Sequence, residues 1–354
     1  MANFIAIMAG GVGSRFWPSS TRERPKQFLD ILGIGKSLIR LTFERALRLV
    51  PAENVLIVTN ALYKDLVREH LPELPEKNIL CEPSMNNTGP CVAYTALRIQ
   101  ALQRDAVFAV LPSDHIILKE DVYTGILSDA FDFAQKNDAL VTLGIQPSRP
   151  DTGYGYIRYN KAASAEYESG SIHRVMEFKE KPDEPTAIQY VSSGDYLWNA
   201  GMFVWSVGSI MQSFKKNAPA ILDVLTQELH HFGTDYEQEY INRVYPGTEN
   251  ISIDYAILER ADNVFTIPAD IGWSDLGTWN SLHAYLAVGK DTVSIGHNIH
   301  MMDCKDTIVM SNNDKTIVIR GLRDYIVVDE ENALLIYPKS DEQEIKKVVA
   351  NLPV

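Results

Sequence analysis

Residues suited to phosphate chemistry are concentrated near the start of the chain. Residues 5–18 read IAIMAGGVGSRFWP, and residues 24–27 read RPKQ. Glycines let backbone N–H groups approach an anion without a Cβ in the way, and successive N–H groups form an anion-binding nest. Arg15 and Lys26 add positive charge behind that nest. The pattern predicts binding of a nucleoside triphosphate, and its candidate nucleotide-binding residues are Gly10, Gly11, Gly13, Ser14 and Arg15.

Two common phosphate-binding motifs do not fit this stretch. A P-loop needs a Lys at a fixed place after its second glycine, and no Lys follows Gly13 in that way. A dinucleotide fingerprint needs a third glycine where the chain has Phe16. For the glycines alone, a β-turn with a solvated arginine is an equal alternative, but the additional Pro18 and Lys26 disfavour it.

The whole stretch resembles the signature G-G-x-G-x-R-[LF]-x-P…P-K of the sugar-nucleotide nucleotidyltransferases. Its ending, Lys26-Gln27-Phe28, resembles most closely the mannose-1-phosphate guanylyltransferases. Six segments in family order extend the resemblance over almost the whole chain. It implies transfer of GMP from GTP to α-D-mannose 1-phosphate, with GDP-mannose and pyrophosphate as products.

Two aspartates are candidates for a metal site. Asp114 follows an apolar strand in the segment LPSDH, and Asp275 lies in DIGWSDLGTW. Mg²⁺ is typically held by one or two carboxylates together with substrate phosphates. For Asp114 alone, a turn or helix-cap role is the simpler interpretation. The resemblance implies that the pair binds Mg²⁺, or Mn²⁺, and that Arg15, Lys26, Asp114 and Asp275 are the catalytic residues. Ser113 is a further nucleotide-binding candidate.

Three other segments are candidates for sugar binding. The charged cluster EFKEKP is typical of solvated surface, and TGYGYI is typical of a hairpin turn. Both resemble family motifs, as does the segment WNAGMF. The resemblance implies that Glu180 and Asn199 bind sugar hydroxyls, that Lys181 binds the sugar phosphate, and that Tyr154 and Gly155 lie against the hexose.

The segment CEPSMNNTGP, residues 81–90, is the candidate for reading the base. Glu82 or backbone carbonyls could accept hydrogen bonds from guanine N1 and N2, while backbone N–H groups could donate to O6. The segment resembles the guanylyltransferase motif E-P-x-x-x-N-T-x-P, which implies nucleotide-binding roles for Glu82, Asn87 and Thr88. The family usually has a basic residue where this chain has Asn86, so the details of the contact are left open.

Two further ionisable residues lie in or beside these motifs. His115 follows Asp114 and is interpreted as a histidine whose hydrogen bonds are satisfied by the protein, rather than as a partner of the metal ligands. Asp254, in the segment SIDYA, fits a structural and a catalytic role equally well.

The proposed chemistry needs no serine or cysteine nucleophile. A sugar 1-phosphate oxygen is anionic at neutral pH, so it can attack the α-phosphorus of GTP in line with the departing pyrophosphate. Catalysis then rests on positioning and charge neutralisation. Two alternatives stay open. One is the same reaction with another sugar 1-phosphate, such as a heptose or fucose, or with another nucleotide. The other is a non-catalytic subunit that binds a GDP-sugar, which the intact candidate residues disfavour.

Alternating elements must position these residues. Apolar strand-like runs at 4–8, 54–59, 79–81, 106–111 and 140–144 are separated by helical periodicity at 37–48, 63–70, 92–103 and 121–136. This order predicts an α/β fold with a Rossmann-like, mainly parallel mixed sheet, similar to the GT-A-like nucleotidyltransferases. Ligands in such folds bind beyond the carboxyl ends of the strands, where several of the motifs begin.

The C-terminal part of the chain has a different pattern of predicted secondary structure. Short β-rich runs at 307–310, 316–320, 325–329 and 334–337 precede a predicted helix over 340–350. We therefore predict a catalytic domain over residues 1–289 and a small β-rich domain over 290–354. In the resembled family such a tail is often a partial left-handed β-helix through which the proteins form homodimers.

Composition narrows the class of protein. The 354 residues are 45% hydrophobic and 22% charged, which favours a folded core, and the net charge of −13 disfavours nucleic acid or membrane surfaces as partners. Cys81, Cys91 and Cys304 form no metal-ligand or disulfide pattern. The sequence shows neither a signal peptide nor a membrane span. We expect a soluble cytoplasmic protein.

Overall fold

The computed structural model describes residues 2–162 and 164–352, which fall into two compact units. The large unit contains the chain up to Gly10 together with Phe43–Pro112 and Ile117–Trp273. The small unit contains Gly11–Thr42, Ser113–Ile116 and the chain from Ser274 onward.

Strands and helices alternate through the first part of the chain, and strands dominate the last part. The strands are β1 Asn3–Met8, β2 Val55–Asn60, β3 Ile79–Glu82, β4 Val107–Pro112, β5 Leu140–Ile145, β6 Tyr156–Tyr159, β7 Ala165–Tyr167, β8 Gly170–Lys179, β9 Tyr196–Ser206, β10 Val264–Pro268, β11 Thr292–Ile295, β12 Ile299–Met302, β13 Thr307–Ser311, β14 Ile317–Arg320, β15 Tyr325–Glu330 and β16 Ala333–Pro338. The helices are α1 Leu38–Leu47, α2 Lys64–His70, α3 Thr88–Leu102, α4 Glu120–Lys136, α5 Glu184–Ser193, α6 Val207–Asn217, α7 Pro219–Leu225, α8 Glu237–Val244, α9 Trp279–Leu286 and α10 Ile345–Ala350.

The large unit is built on a ten-stranded mixed sheet in the order β3-β2-β1-β4-β9-β5-β10-β8-β6, with β7 paired to β8. β3, β2, β1 and β4 are parallel neighbours, as are β5 and β10, whereas β9 runs antiparallel to β4 and β5. The inner residues of β1, β2 and β4 are buried on both faces, which explains their continuous apolar sequences. The predicted α/β fold with a mainly parallel mixed sheet is confirmed.

Helix α3 begins earlier than its apolar periodicity predicts. The sequence predicted a helix from residue 92, but α3 starts at Thr88. Asn87 caps the helix: its φ is +68°, and its side-chain oxygen accepts a hydrogen bond from Thr88 N at 2.9 Å. Pro90 lies in the first turn, where a missing N–H costs no intrahelical bond, so the proline does not exclude a helix.

The small unit is β-rich and built from stacked parallel strands. β13 pairs in parallel with β11 and with β15, and β12 pairs in parallel with β14. β16 closes the first of these sheets antiparallel to β15. Inward-facing residues of β11, β13, β15 and β16 share one apolar core with Phe16, Leu29 and Trp279. The predicted β-rich C-terminal part is confirmed. The helix predicted over 340–350 is divided into two elements, a 3₁₀ segment, Lys339–Glu344, followed by α10.

Within the described residues, no helix combines the length and the apolar character needed to cross a membrane.

Candidate active site

The glycine-rich loop is shaped by a close packing contact in the small unit. Gly13 has φ +73°, and a Cβ on it would lie 2.4 Å from Cβ of Lys26. Lys26 N donates a hydrogen bond to Val12 O at 3.2 Å, which holds the two segments together. Only glycine fits this combination of left-handed backbone and contact. After the loop, Ser14 and Arg15 lie in a short 3₁₀ helix.

Arg15 is the exposed cation of this loop. In the part of the chain that the structure describes, its guanidinium forms neither an ion pair nor a hydrogen bond with the protein. Gly11 is also exposed, with no atom within 4 Å of the position that a Cβ would take. Backbone and cation are therefore accessible to an anion.

Lys26 links the two candidate metal-binding aspartates. It is buried, and its Nζ donates to Asp114 Oδ2 at 2.9 Å and to the main-chain oxygen of Asp275 at 2.7 Å. An antiparallel bridge between Ile116 and Ser274 aligns their segments, with N–H to O distances of 2.8 and 3.1 Å. The two aspartates, far apart in sequence, thus lie near one ammonium group. The sequence predicted phosphate contact for Lys26, and two of its three N–H donors are already used by the protein.

Charge in the small unit favours an ionised Asp114. Burial by itself raises the pKa of Asp114, but attraction to Lys26 and His115, with the Lys26 hydrogen bond, brings the pKa below its ordinary value. The side chain is still 31% exposed. Asp114 is therefore a carboxylate with one oxygen on Lys26 and a partly open surface, which is suitable for a hard cation. Ser113 is buried, and its carbonyl accepts a hydrogen bond from Thr42 at 3.3 Å.

In the large unit, Glu82 forms a buried polar cluster. Its carboxyl group accepts a hydrogen bond from the hydroxyl of Tyr245 and one from Cys91. A Cβ on Gly10 would lie 3.6 Å from Glu82 Oε2, so this carboxyl group lies beside the end of the first strand segment. Burial raises the pKa of Glu82 to about 7, although the Tyr245 and Cys91 hydrogen bonds act in the opposite direction.

The neighbouring residues of this motif are held mainly by the protein. Thr88 Oγ1 accepts a hydrogen bond from Ile253 N at 2.9 Å, and Asn87 is the exposed cap of α3. Asn86 precedes this pair in the sequence. Its Nδ2 donates to Tyr245 O at 3.2 Å and to Thr248 O at 3.0 Å, so Asn86 fixes the turn at 245–248.

The predicted sugar-binding residues form one cluster in the large unit. A Cβ on Gly155 would lie 2.5 Å from Glu180 Oε2, so Gly155 makes room for that carboxylate. Lys181 has φ +46°, and its Nζ pairs with the other Glu180 oxygen. Lys181 N donates to Tyr154 O at 3.2 Å. The ring of Tyr154 lies edge-on to Trp198, with 5.0 Å between ring centroids.

Asn199 completes this cluster and brings in Asp254. Asn199 N donates to Gly155 O at 2.8 Å, and Asn199 Nδ2 donates to Asp254 Oδ1 at 2.9 Å. Burial and the charge of Glu180 raise the pKa of Asp254, and Lys181 acts in the opposite direction. Sequence reasoning left the role of Asp254 open, and the sole signal for it was the SIDYA segment.

The predicted residues thus form three groups within the units. The small unit contains Gly11, Gly13, Ser14, Arg15, Lys26, Ser113, Asp114 and Asp275. The large unit brings together Gly10 and Glu82, with Asn87 and Thr88 at the following helix, and separately the cluster of Tyr154, Gly155, Glu180, Lys181 and Asn199.

Comparison with known proteins gives matches along the whole chain. A family model described as "Nucleotidyl transferase" matches residues 5–289, and one described as "MannoseP isomerase/GMP-like beta-helix domain" matches residues 297–352. The chain is 34% identical over 355 residues to a mannose-1-phosphate guanylyltransferase of Escherichia coli K12, which covers 99% of this chain and 73% of that protein. It is 35% identical to the alginate biosynthesis protein AlgA of Pseudomonas aeruginosa, with 98% and 71% covered.

Among solved structures, a Thermus thermophilus protein described as a mannose-1-phosphate geranyltransferase superposes with a TM-score of 0.87. The two chains are 29% identical, and the match covers 99% of each.

Proposed function

Since the chain belongs to the nucleotidyl transferase family, we propose that it transfers GMP from GTP to α-D-mannose 1-phosphate. The products are GDP-mannose and pyrophosphate. The observation that carries the proposal is the arrangement around Lys26, which packs on Gly13 of the glycine loop and binds both Asp114 and Asp275. Relatives named for this activity match nearly the whole chain.

The reaction is a single displacement at phosphorus. An ionised oxygen of mannose 1-phosphate forms a bond to the α-phosphorus of GTP. The bond from that phosphorus to the bridging oxygen breaks, and pyrophosphate leaves with the electron pair. Because the attacking oxygen carries no proton at neutral pH, no general base is required. Catalysis then depends on alignment and on positive charge near the phosphates.

Each group of residues has a proposed part in this reaction. The backbone of Gly10, Gly11, Gly13 and Ser14 binds the triphosphate, and Arg15 stabilises the charge that develops on it. Lys26 positions the aspartates and adds positive charge. Glu82, Asn87, Thr88 and Ser113 hold the nucleotide. Lys181 binds the sugar phosphate, while Tyr154, Gly155, Glu180 and Asn199 hold the hexose.

The aspartates fit a divalent cation. Asp114 is ionised and partly exposed, and Lys26 keeps its carboxylate near the backbone of Asp275. We propose that Asp114 and Asp275 hold Mg²⁺, or Mn²⁺, which neutralises phosphate charge when it is bound. With only two protein carboxylates, the remaining positions would go to phosphate oxygens and water.

Domain division, assembly and location belong to the same proposal. We retain a catalytic domain over residues 1–289 and a β-rich domain over 290–354. A homodimer through the β-rich part is supported by exposed apolar side chains there, including Val318, Leu334 and Ile336. A reducing compartment such as the cytoplasm is supported by the three cysteines, none of which forms a disulfide bond.

The test is pyrophosphate release from every pair of GTP, UTP or dTTP with mannose, glucose, fucose or heptose 1-phosphate. GTP with mannose 1-phosphate should exceed every other pair in kcat/KM by at least about 10²-fold, as expected where buried polar groups reject the wrong ligand. Preference for another sugar would contradict the substrate assignment. Absence of release with all pairs, in folded protein that binds GDP-mannose, would favour a regulatory subunit.

A further inference from the structure

Asp254 is held by backbone contacts at an unusual position. It is the first residue of a π-helical turn, Asp254–Leu258. The residues before it are fixed, because Gly89 N donates to Ile251 O at 2.9 Å and Ile253 N donates to Thr88 Oγ1 at 2.9 Å. π-Helical turns are rare and are frequently found at functional sites. The fold therefore uses specific contacts to place Asp254.

Asn199, the neighbour of Asp254, has little acceptor capacity left for a ligand. Its Oδ1 accepts hydrogen bonds from Thr142 Oγ1 at 2.9 Å and from Gly201 N at 3.2 Å. An amide oxygen has two lone pairs, and an amide NH₂ has two hydrogens. One of those hydrogens goes to Asp254 Oδ1. Asn199 can therefore donate one hydrogen bond to a sugar but has no lone pair left to accept one.

Glu180 is partly committed to the protein. One of its carboxylate oxygens pairs with Lys181 Nζ, and the other lies over Gly155. Among the residues that the structure describes, Asn199 is the one side chain that hydrogen-bonds to Asp254, and it uses Oδ1. Asp254 Oδ2 thus has no side-chain partner, and the other carboxylate oxygen without one, Glu180 Oε2, lies against the backbone of Gly155.

The charge around Asp254 suits a hydroxyl group. Two carboxylates, Asp254 and Glu180, share one cation, Lys181. Beside the two carboxylates themselves, this arrangement favours a neutral O–H donor over an anion. Because Lys181 is the cation assigned to the sugar phosphate, the carboxylates beside it lie where the sugar ring of the same ligand would be.

We propose that Asp254 is a specificity-determining residue that accepts a hydrogen bond from a hydroxyl of the sugar 1-phosphate through Oδ2, while Asn199 donates to the same sugar. This inference rests on the proposed function of the cluster as the sugar site. It assigns the hydroxyl-accepting role that Asn199 lacks the capacity to fill.

The test combines an isosteric substitution with removal of single hydroxyl groups. Steady-state kcat/KM is measured for wild type and Asp254→Asn with mannose 1-phosphate and its 2-, 3-, 4- and 6-deoxy analogues. In the wild type, removing the contacted hydroxyl should lower kcat/KM about 10- to 100-fold, the range expected for a hydrogen bond to a charged group. Asp254→Asn should lower kcat/KM for intact mannose 1-phosphate by a similar factor. In this variant, removing the contacted hydroxyl should cause no further loss of kcat/KM, and KM for GTP should stay unchanged.

The control variant is Asp223→Asn, which replaces an exposed aspartate outside the cluster. In this variant each deoxy analogue should lower kcat/KM by the same factor as in wild type. If each deoxy analogue lowers kcat/KM in Asp254→Asn by the same factor as in wild type, Asp254 makes no contact with the sugar and the inference is wrong. If the Tm of Asp254→Asn is so far below that of wild type that the variant is not folded in the assay, Asp254→Glu is measured in the same series.

Failure of the proposed function is a separate result. If wild type turns over a different sugar 1-phosphate, the deoxy series is made for that sugar. If it turns over none, calorimetric affinities for mannose 1-phosphate and its deoxy analogues give the same comparison. Affinities that depend on no hydroxyl in either variant would overturn the inference.

Discussion

Replacing Glu82 by glutamine should remove a pH dependence from the stability of the protein. Glu82 is buried, and its pKa is raised from the ordinary 4.5 to about 7. The unfolded chain releases this proton near its ordinary pKa, whereas the folded protein keeps it until the pH approaches 7. The resulting stabilisation is present in full below the unfolded pKa and is lost as the pH rises through the folded pKa.

The size of this effect follows from the pKa shift. At 1.36 kcal/mol per pKa unit, the change from 4.5 to about 7 corresponds to about 3 kcal/mol of unfolding free energy. Glu82→Gln cannot titrate, and its amide oxygen can still accept the hydrogen bond from Tyr245. The free energy of unfolding of wild type, relative to the variant, should therefore fall by about 3 kcal/mol between pH 4.5 and pH 8.

Urea unfolding of both proteins at several pH values measures this difference. Glu239→Gln, which replaces an exposed glutamate, is the matched control and should give a curve parallel to wild type. A parallel curve for Glu82→Gln as well would mean that Glu82 titrates normally, and the assignment of a buried, protonated carboxyl group would be refuted.

Two other substitutions test the glycine loop. Arg15→Ala should lower kcat for pyrophosphate release by about 10³-fold, by analogy with arginines that stabilise phosphoryl-transfer charge, whereas exposed Arg22→Ala should not; equal turnover in Arg15→Ala would exclude its role. Gly13→Ala combines left-handed backbone with a Cβ 2.4 Å from Lys26 Cβ, so it should destabilise the protein by at least about 1–2 kcal/mol, while Gly11→Ala leaves Tm unchanged. Equal Tm values for both glycine variants, measured by calorimetry, would contradict the packing argument.

Much of the fold could be predicted because it follows from local patterns. Buried parallel strands have continuous apolar sequences, and the runs at 4–8 and 106–111 correspond closely to β1 and β4. The start of α3 could not be predicted from periodicity, since its first turn contains Gly89 and Pro90 and depends on a cap by Asn87. Propensity disfavours those residues in a helix, but their place in the first turn removes the penalty.

Less of the candidate site could be predicted from the sequence alone. The pairing of Asp114 with Asp275 depends on a bridge between Ile116 and Ser274, distant segments whose contact no local pattern encodes. Their association came instead from resemblance to a family. The position of Asp254 depends on the hydrogen bond from Ile253 N to Thr88 Oγ1 and on the one from Asn199 Nδ2 to Asp254 Oδ1, and neither bond has a signal in the spacing of the residues.

The central claim is that the guanylyl group passes from GTP to mannose 1-phosphate in one displacement, without a covalent enzyme intermediate. The most direct measurement is the stereochemical course at the α-phosphorus, followed with GTP made chiral there by sulfur substitution. One in-line displacement predicts inversion of configuration in the GDP-mannose analogue. Retention would require two displacements through a guanylylated side chain, and it would contradict the account.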